Sequence, residues 1–486
     1  MKDLISIKDL SKQDIDGLIK EALELKRELK TDLLKNTKIA SLFFENSTRT
    51  RVSSETAVTD LGGQISGFAG SEGTSVQKGE PLIDSIRMFQ VYGYKAIFMR
   101  HGLEGSARLA ADNSNVPIIN GGDGSNNHPT QTLLDLMTIL DEKGTIDGLK
   151  IALIGDLKYG RTVHSLLQAL EKYNVEVWLI SPPNLKMQEW RINDYKEKTN
   201  RTPIITEDLE RTIKEVDVLY VTRIQRERFE EGPEGEIEYK KVSGIYKINK
   251  ESLKDAKRNM IILHPLPRFK HNLEISIDVD NTPYAKYIEQ AKNGVFMRQA
   301  ILLKVFGDGF EDKEIGETNE KLWKEVEITN GAKKGENFLY RLRNGTLIDH
   351  IECGKGTQVL KVLGMENYKN TPLIQAKNIK SISRGKKDVI GFQDKELTEK
   401  ELSKVSLVTN TTVNIIREGK VFKKGKVVLP KKLCGLIQCQ NPKCITNPLH
   451  SEHAQSIFHV EDQEPLRVRC HYCETPMSRE EIRLIS

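Results

Sequence analysis

The sequence has no long apolar run. None of its hydrophobic segments approaches the roughly 18 residues that a helix needs to cross a bilayer. The opening stretch MKDLISIKDLSKQD carries charges throughout and contains no apolar core of signal-peptide length. We therefore expect a soluble cytoplasmic protein that has no membrane partner.

The chain also has no strong excess of one charge. Its 74 basic residues nearly balance 69 acidic ones, which leaves a formal net charge of +5. This balance gives no reason to expect nucleic acid as a partner. The small positive excess suits anionic substrates if it is gathered in a cleft.

Cysteine is scarce, with six residues in 486. Four of them form two close pairs near the end of the chain, Cys439 with Cys444 and Cys470 with Cys473. Such clustering in a reducing compartment indicates a metal rather than disulfides. Two cysteine pairs on turns can place four thiolates around a tetrahedral zinc ion, and a closed shell of four sulfurs makes the site structural. We predict a structural Zn²⁺ on these four cysteines, with His471 as an alternative ligand.

Apolar residues make up 38% of the chain, enough for several hydrophobic cores. In the first 308 residues, buried strand patterns alternate with helical ones, which is typical of parallel sheets covered by helices. The apolar runs lie at 39–44, 150–154, 175–180, 217–222 and 260–263, and the helical patterns at 11–35, 48–60, 161–172 and 208–215. We predict two α/β lobes, 1–140 and 141–308, with a cleft between them.

Composition changes after residue 308. Residues 309–335 are rich in Asp, Glu, Lys and Gly, which is typical of a charged linker. A small α+β domain is predicted over 336–430, with a helix that begins at a capping box, Thr398–Glu401. Its strand patterns lie at 338–342, 347–351, 389–392 and 412–416. The cysteine pairs define a last zinc-binding domain, 431–486.

The segment Phe44–Arg51 lies where a buried strand turns into a helix. Unpaired backbone N–H groups point outward at such a junction, and the helix dipole favours an anion there. Hydroxyl and guanidinium side chains add the donors that a phosphate oxyanion needs. The candidate phosphate ligands are Ser47, Thr48, Arg49 and Thr50. A helix cap with surface arginines is the alternative that this segment alone leaves open.

The motif S-T-R-T-R that begins at Ser47 resembles the hallmark of the transcarbamoylases, which bind carbamoyl phosphate. The segments 98–101 (FMRH) and 128–131 (HPTQ) match two further motifs of that family. The resemblance implies that the carbonyl oxygen of carbamoyl phosphate is contacted by Thr50, Arg100 and His128. It also implies that its amide nitrogen is held by Gln131 and by the backbone carbonyl near Leu266. Donors aimed in advance would stabilise the negative charge that develops on the carbonyl oxygen when an amine attacks.

The polar loop Thr74–Glu80 has two possible interpretations. From composition alone it is a solvated connection. The resemblance instead implies that Ser75 and Lys78 enter the active site of a neighbouring subunit. There both would contact the phosphate, and Lys78 would also bind aspartate. In that case the enzyme needs at least a trimer, so we expect a homotrimer with active sites shared between subunits.

The loop Gly155–Thr162 follows a buried strand and opens a helix, as a dinucleotide-binding loop would. It lacks the G-x-G-x-x-G spacing, and the next strand runs into Ser181-Pro182 without the acidic residue that would hold a ribose. These differences exclude a dinucleotide site. The loop resembles that of the aspartate carbamoyltransferases, which implies that Arg161 grips a substrate carboxylate.

The same resemblance covers two later strand-end loops. It implies that Arg223 and Gln225 bind aspartate together with Arg161, and two arginine forks suit the two carboxylates of aspartate. Ornithine enzymes resemble this chain at S-T-R-T-R but carry a cysteine in the motif that is His264–Pro267 here. The sequence therefore favours aspartate over another amine as the acceptor.

Residues 336–486 resemble the regulatory chain of aspartate carbamoyltransferase, including the stretch Asn344–Ile351. The resemblance implies a nucleotide site for ATP and CTP as effectors. Its candidate ligands are Asp349, His350, Lys387, Asn414 and Lys424. A lysine that the family uses at the nucleotide is Gly391 here, with neighbouring Lys386 as the alternative, and Arg341 and Gly419 also depart from the family pattern. A domain that mainly serves as a scaffold is the open alternative.

These motifs predict transfer of the carbamoyl group from carbamoyl phosphate to L-aspartate, giving N-carbamoyl-L-aspartate and phosphate in pyrimidine synthesis. One alternative is a transcarbamoylase for another amine acceptor. A second is a regulatory or nucleic-acid-binding protein that kept an inactive catalytic fold.

Overall fold

The computed structural model describes residues 3–28, 30–224, 232–242, 244–268, 273–310, 323–326, 342–365, 372–381 and 385–485. The chain forms two compact units, one of Met1–Glu314 with Lys443–Ile445 and one of Ile315–Pro442 with Thr446–Ser486. Among the helices described, none combines the length and apolar character needed to cross a membrane.

The first lobe of the first unit is built on a parallel sheet with the strand order β2-β1-β3-β4. Its strands are β1 (Lys38–Phe43), β2 (Gln64–Ala69), β3 (Ala96–His101) and β4 (Ile118–Asp123). Its helices are α1 (Lys12–Arg27), α2 (Thr48–Asp60), α3 (Leu82–Val91), α4 (Ser106–Asp112) and α5 (Pro129–Lys143). All of β1 after Lys38 is buried, which explains its nearly unbroken apolar run.

The second lobe has another parallel sheet, with the strand order β7-β6-β5-β8-β9. Its strands are β5 (Lys150–Ile154), β6 (Glu176–Ile180), β7 (Ile204–Thr206), β8 (Val218–Val221) and β9 (Ile261–Leu263). Its helices are α6 (Arg161–Leu170), α7 (Glu189–Thr199), α8 (Leu209–Glu215) and α9 (Pro233–Val242). The four predicted strands are confirmed, whereas β7 was not predicted because it is short and partly exposed.

The helix α10 (Tyr287–Phe306) follows the second sheet in sequence but packs against α1, α2 and α5 of the first lobe. Asn293 Nδ2 donates to Thr138 Oγ1 at 3.0 Å, and Gln299 Nε2 donates to Asp60 at 3.0 Å. The last helix of the segment 141–308 therefore ties the two lobes of the first unit together.

The predicted opening helix, 11–35, is shorter in the structure. It begins after a capping box of Ser11 and Asp14 and ends at Arg27, because Glu28 takes an extended backbone conformation. Leu25 is the last buried residue of this helix.

In the second unit, an antiparallel sheet has the strand order β10-β15-β14-β11-β13-β12. Its elements are β10 (Trp323–Glu325), β11 (Gly345–Glu352), α11 (Gly356–Val362), β12 (Leu373–Ser381), β13 (Gly385–Gln393), α12 (Glu399–Val408), β14 (Thr412–Arg417) and β15 (Lys420–Val427). Three predicted strands lie in β11, β13 and β14, and the predicted capping box of α12 is confirmed. Most of the predicted strand 338–342, most of the linker 309–335 and Arg341 lie outside the described residues.

The cysteine-bearing segment has short antiparallel strands in the order β16-β18-β19-β20 and a separate pair, β17 with β21. These strands are β16 (Lys432–Cys434), β17 (Ile437–Gln438), β18 (Ile457–Gln463), β19 (Leu466–Cys470), β20 (Pro476–Ser478) and β21 (Arg483–Leu484). Strands this short provide little apolar core, so a bound metal suits the architecture.

Candidate active site

A cavity of about 1000 Å³ lies at the carboxyl ends of strands from both parallel sheets of the first unit. Ligands of α/β proteins bind at this edge because loops from several strands converge there. The predicted substrate residues that line it are Ser47, Thr48, Arg49, Thr50, Arg100, His128, Gln131, Arg161, Arg223 and Leu266. The structure thus gathers residues that lie up to 219 positions apart in the sequence, from Ser47 to Leu266.

The S-T-R-T-R motif forms the first turn of α2. Ser47 is the N-cap residue, and its side chain makes no capping hydrogen bond to the helix. The first-turn N–H groups have no partners within the helix, so they add to the positive end of its dipole. Burial and repulsion by the Arg223 guanidinium lower the pKa of Arg49, and both arginines line the cavity. An anion between them would relieve this repulsion.

Glu45 was not among the predicted site residues, yet it holds two of the predicted arginines. Arg100 Nη2 donates to Glu45 Oε1 at 2.7 Å, and Arg161 Nη2 donates to the same oxygen. Burial acts to raise the pKa of Glu45, but the guanidiniums of Arg161 and Arg100 outweigh it and lower this pKa below its ordinary value. The signal in the sequence was an acidic residue inside a segment otherwise rich in anion-binding donors.

Gly122 makes room for the same two arginines. Its φ of +122° lies in a region that L-residues rarely adopt, and a Cβ there would meet Arg100 Nη1 at 2.9 Å and Arg161 Nη1 at 3.1 Å. Glycine is therefore favoured at this position for two reasons: the positive φ angle, and the lack of space for a Cβ beside the two guanidinium groups.

His128 is buried at the start of α5, and its ring lies between two threonine hydroxyls. Its Nε2 lies 3.3 Å from Thr50 Oγ1, and its Nδ1 lies 3.4 Å from Thr130 Oγ1. Burial and the charges of Arg100, Arg161 and Arg298 lower the pKa of His128 well below its ordinary value of 6.5. The ring is therefore neutral at physiological pH, and it can polarise a carbonyl as a hydrogen-bond donor rather than as a cation.

The loop after β9 is held by side chains in the cavity wall and by an ion pair next to it. The backbone N–H of His264 donates to Gln290 Oε1 at 2.8 Å, and that of Leu266 donates to His264 Nδ1 at 2.8 Å. Arg268 forms a bidentate ion pair with Asp280, with distances of 2.6 and 3.0 Å. These contacts place the backbone around Leu266 at the cavity wall.

Two predicted substrate residues, Ser75 and Lys78, are not among the described residues that line the cavity. Ser75 and Lys78 lie at the two ends of an exposed 3-10 turn. Gln225 lies outside the described residues. Arg298, by contrast, was not predicted: it lines the cavity and donates to Thr130 Oγ1 at 3.2 Å while being fully buried.

The candidate nucleotide residues lie on the antiparallel sheet of the second unit. Lys387 Nζ lies 2.9 Å from Asp349 Oδ1, and His350 Nδ1 lies 3.1 Å from Asp349 Oδ2. Burial acts to raise the pKa of Asp349, but His350 and Lys387 outweigh it and lower this pKa to about 2. Asn414 pairs directly with Lys424 on the neighbouring strand. The alternation of the β11–β14 ladder places Asp349 and Asn414 on one face of the sheet.

The position of Gly391 on this sheet is covered by an apolar side chain. A Cβ at Gly391 would meet Leu342 Cδ1 at 2.7 Å. Leu342 belongs to a small apolar cluster with Leu347, Val389 and Ile416. A lysine at position 391 would therefore require Leu342 to move.

The four predicted metal ligands converge. The Sγ atoms of Cys439, Cys444, Cys470 and Cys473 all lie within 4.8 Å of one another, and all four residues are buried. Cys439 Sγ and Cys473 Sγ are 3.6 Å apart, close to the separation of about 3.8 Å that two thiolates have on a tetrahedral zinc. His471 is not part of this group; its Nδ1 lies 3.1 Å from His459 Nε2.

Four family sequence profiles match successive parts of the chain. Residues 2–141 match the carbamoyl-phosphate-binding domain of aspartate/ornithine carbamoyltransferases, and residues 147–305 match their aspartate/ornithine-binding domain. Residues 339–428 match the allosteric domain of the aspartate carbamoyltransferase regulatory chain, and residues 431–483 match its metal-binding domain. The fold and the cavity are thus those of a carbamoyltransferase.

Relatives of known activity define the family further. The chain is 50% identical over 307 residues to the aspartate carbamoyltransferase catalytic subunit of Chromobacterium violaceum, covering 63% of this chain and 98% of that one. It is also 50% identical over 305 residues to the catalytic subunit from Thermococcus onnurineus, covering 62% and 96%. The chain belongs to the aspartate carbamoyltransferase family and carries catalytic and regulatory domains in one polypeptide.

Solved structures of that family have the same fold. The catalytic subunit of M. jannaschii aspartate transcarbamoylase matches with a TM-score of 0.58 and 48% identity, covering 63% of this chain and 99% of that one. The Trypanosoma cruzi enzyme in complex with carbamoyl phosphate and aspartate matches with a TM-score of 0.58 and 37% identity, covering 62% and 95%. These matches give no support to another amine acceptor.

Proposed function

We propose that the cavity binds carbamoyl phosphate and L-aspartate side by side and transfers the carbamoyl group between them through the residues predicted from the sequence. The observation that carries this proposal is the convergence of ten of those residues on one cavity. The phosphate is held at the start of α2 by Ser47, Thr48, Arg49 and Thr50. The carbonyl oxygen is held by Thr50, Arg100 and His128, and the amide nitrogen by Gln131 and the carbonyl near Leu266.

The reaction is a direct attack of the aspartate amine on the carbonyl carbon, after which phosphate leaves. Negative charge develops on the carbonyl oxygen in the tetrahedral intermediate, and donors already in place stabilise it. The side chains of Thr50, Arg100 and His128 are held by one another or by Glu45, so little reorganisation is needed. Loss of one such donor typically slows a reaction by about 10²–10³-fold.

Arg161 and Arg223 recognise the two carboxylates of aspartate, together with Gln225. Both arginines follow strands of the second sheet, whereas the phosphate donors follow a strand of the first. The two substrates would therefore approach from opposite lobes and meet at the carbonyl carbon. This arrangement supports aspartate as the acceptor because two guanidiniums match two carboxylates.

The test is formation of N-carbamoyl-L-aspartate from carbamoyl phosphate, with L-aspartate and L-ornithine as parallel acceptors. We expect turnover with aspartate only. Arg223→Leu should raise the KM for aspartate by about 10²-fold, because a desolvated charge pair is lost, and leave that for carbamoyl phosphate nearly unchanged. Turnover with ornithine, or none with aspartate, would overturn the assignment.

We infer that the active enzyme is a homotrimer in which Ser75 and Lys78 complete a neighbour's site. The inference is supported by their exposure on a turn of their own chain. Chains with Lys78→Ala and chains with Arg161→Leu should each be nearly inactive. Mixed trimers of the two should recover activity, because some sites receive both intact residues. No recovery after mixing would contradict shared sites.

We further propose that the four cysteines bind a structural Zn²⁺ and that the antiparallel sheet binds ATP and CTP as effectors. The ion cluster of Asp349, His350 and Lys387 supports a phosphate-bearing ligand, whereas Leu342 over Gly391 favours a purely structural sheet. A change in the aspartate saturation curve on adding either nucleotide would support the effector role. Unchanged curves would favour the alternative, in which this domain serves mainly as a scaffold.

We propose domains at 1–140, 141–308, 336–430 and 431–486, with a linker at 309–335; the four matched family segments support this division. A cytoplasmic location suits a thiolate metal site, since a reducing compartment keeps the four cysteines from forming disulfides.

A further inference from the structure

A buried carboxylate lies directly behind the cavity. Asp135 is on α5, one turn after Gln131, and is fully buried. Its Oδ1 accepts hydrogen bonds from Gln131 Nε2 at 2.8 Å and from Gln290 Nε2 at 2.6 Å. Its Oδ2 accepts one from the Tyr220 hydroxyl at 2.9 Å. Asp135 itself is not among the residues that line the cavity, whereas Gln131 is.

The direction of these hydrogen bonds is determined by a backbone group. The N–H of His264 can only donate, and it donates to one amide atom of Gln290, which must therefore be the oxygen. The Gln290 atom that faces Asp135 Oδ1 is then the NH₂ group, so Oδ1 is an acceptor. The Gln131 amide must also present its NH₂ group to Oδ1, because its oxygen would face another acceptor there.

We propose that Asp135 is a positioning residue that makes the site selective for a carbamoyl group. By accepting one N–H of Gln131, it fixes the orientation of the amide, so that the Gln131 carbonyl oxygen is turned away from Asp135 and is available to the cavity. That oxygen accepts a hydrogen bond from a carbamoyl –NH₂ but gains nothing from a methyl group in the same place. The inference rests on the proposed function, in which Gln131 meets the amide end of carbamoyl phosphate.

Protonation of Asp135 does not reverse this orientation. Burial raises the pKa of Asp135 to about 7, against the lowering effect of its bonds to Gln290, Gln131 and Tyr220. A proton on this carboxyl would sit on Oδ2, where the Tyr220 hydroxyl can accept it, because Oδ1 faces two N–H donors. The acceptor that holds Gln131 is therefore present in both states.

The test compares carbamoyl phosphate, acetyl phosphate and inorganic phosphate as ligands of the full-length protein. Acetyl phosphate has a methyl group in place of –NH₂, and inorganic phosphate lacks the acyl group. Dissociation constants are measured by isothermal titration calorimetry at 25 °C, and turnover with L-aspartate is measured separately. The variants are Asp135→Leu, which removes the acceptor, and Asp135→Asn, which can keep an oxygen toward both glutamines.

In Asp135→Leu, we expect affinity for carbamoyl phosphate to fall about tenfold, while affinities for acetyl phosphate and phosphate stay within about twofold. Asp135→Asn should keep the wild-type ratio of carbamoyl to acetyl phosphate affinity. The control is Asp141→Leu on the same helix, where the carboxylate pairs with Lys26 at 2.8 Å instead. This control should leave all three affinities unchanged.

An unchanged ratio in folded Asp135→Leu would overturn the proposal, and so would equal weakening of all three ligands, which indicates a merely structural role. A fall in the ratio of carbamoyl phosphate to acetyl phosphate affinity in Asp135→Asn would also overturn it. If Asp135→Leu does not fold, Asp135→Ala, which leaves space for water, takes its place under the same criteria. A wild-type chain that binds carbamoyl phosphate selectively but does not turn over L-aspartate would overturn the proposed function and not this inference.

Discussion

At the scale of single residues, the cavity has a strongly unequal charge. Glu45 is the one acidic side chain among the described residues that line it, whereas the same lining includes five arginines, namely Arg49, Arg100, Arg161, Arg223 and Arg298. Such an excess suits two substrates that each carry about two negative charges, because arginine matches phosphate and carboxylate geometry. Glu45 offsets part of the repulsion and orients two of the guanidiniums.

Glu45→Gln tests this role. We expect kcat/KM for aspartate to fall about tenfold, or about 1.4 kcal/mol, because Arg100 and Arg161 lose the charge that holds them together. Steady-state kinetics with both substrates varied measure the effect. Glu55→Gln is the matched control. Glu55 Oε1 lies 2.7 Å from Arg51 Nε, and neither residue is among those that line the cavity. Equal losses in the two variants would contradict a specific role for Glu45.

At the scale of elements, function depends on where strands and helices end. The phosphate donors occupy the first turn of α2 after β1, and Arg161 begins α6 after β5. Periodicity in the sequence predicted these helices and the strands before them, since each pattern is contained in about ten neighbouring residues. The strands β12 and β15 were not predicted. The sequence of β15 is lysine-rich and lacks the alternation that a half-buried strand shows, whereas the alternation of β12 is interrupted at an irregularity between Ala376 and Ile379.

The capping box of α12 gives a prediction for one helix. Thr398→Ala should lower the free energy of unfolding of the second unit by about 1 kcal/mol, because the N–H of Glu401 loses its acceptor. Thr398→Ser keeps the hydroxyl and should cost much less. Urea unfolding followed by circular dichroism measures both. Equal effects of the two substitutions would show that the methyl group and not the cap matters.

The ion pair between β11 and β13 predicts a pH dependence. The pKa of Asp349 is lowered from 3.8 to about 2 in the folded state, so its ionised form is stabilised by folding. The contribution is present above pH about 4 and is lost as pH falls toward 2; it amounts to about 2 kcal/mol. Asp349→Asn should therefore destabilise the second unit by about 2 kcal/mol near pH 6 and by about half as much near pH 3. Urea unfolding of the wild type and the variant at both pH values measures the effect. The same difference in free energy of unfolding between the two proteins at pH 6 and pH 3 would contradict the prediction.

At the scale of the whole molecule, the two units have separate cores. The first unit is built on apolar clusters of both parallel-sheet lobes, and the second on a cluster around Ile348, Ile390 and Val413. The cysteine-bearing segment has only short strands and depends on its metal site. Removal of the metal should therefore affect that segment far more than the catalytic cavity.

Cys470→Ser tests this dependence. Elemental analysis should show bound zinc falling from about one ion per chain to near zero, because a tetrahedral site loses one of its four thiolates. Proteolysis within 431–486 should increase, while kcat for carbamoyl transfer stays within about threefold because the cavity has its own core. Cys434→Ser is the matched control, since Cys434 is exposed and outside the cluster. Equal zinc contents in the two variants would contradict the assignment.

The sequence alone determined the parallel-sheet α/β class of the first portion, the α+β class of the second, the substrate motifs and the four metal ligands. Each of these is encoded by residues close together in the chain, in a period, a cap or a spaced pair. The tertiary structure decided the rest. It turned α10 back onto the first lobe, set Glu45 between two arginines, placed Arg298 at the cavity and covered Gly391 with Leu342. Such contacts join distant residues, and local patterns carry no information about which of them meet, because burial and charge pairing are settled only when the elements pack.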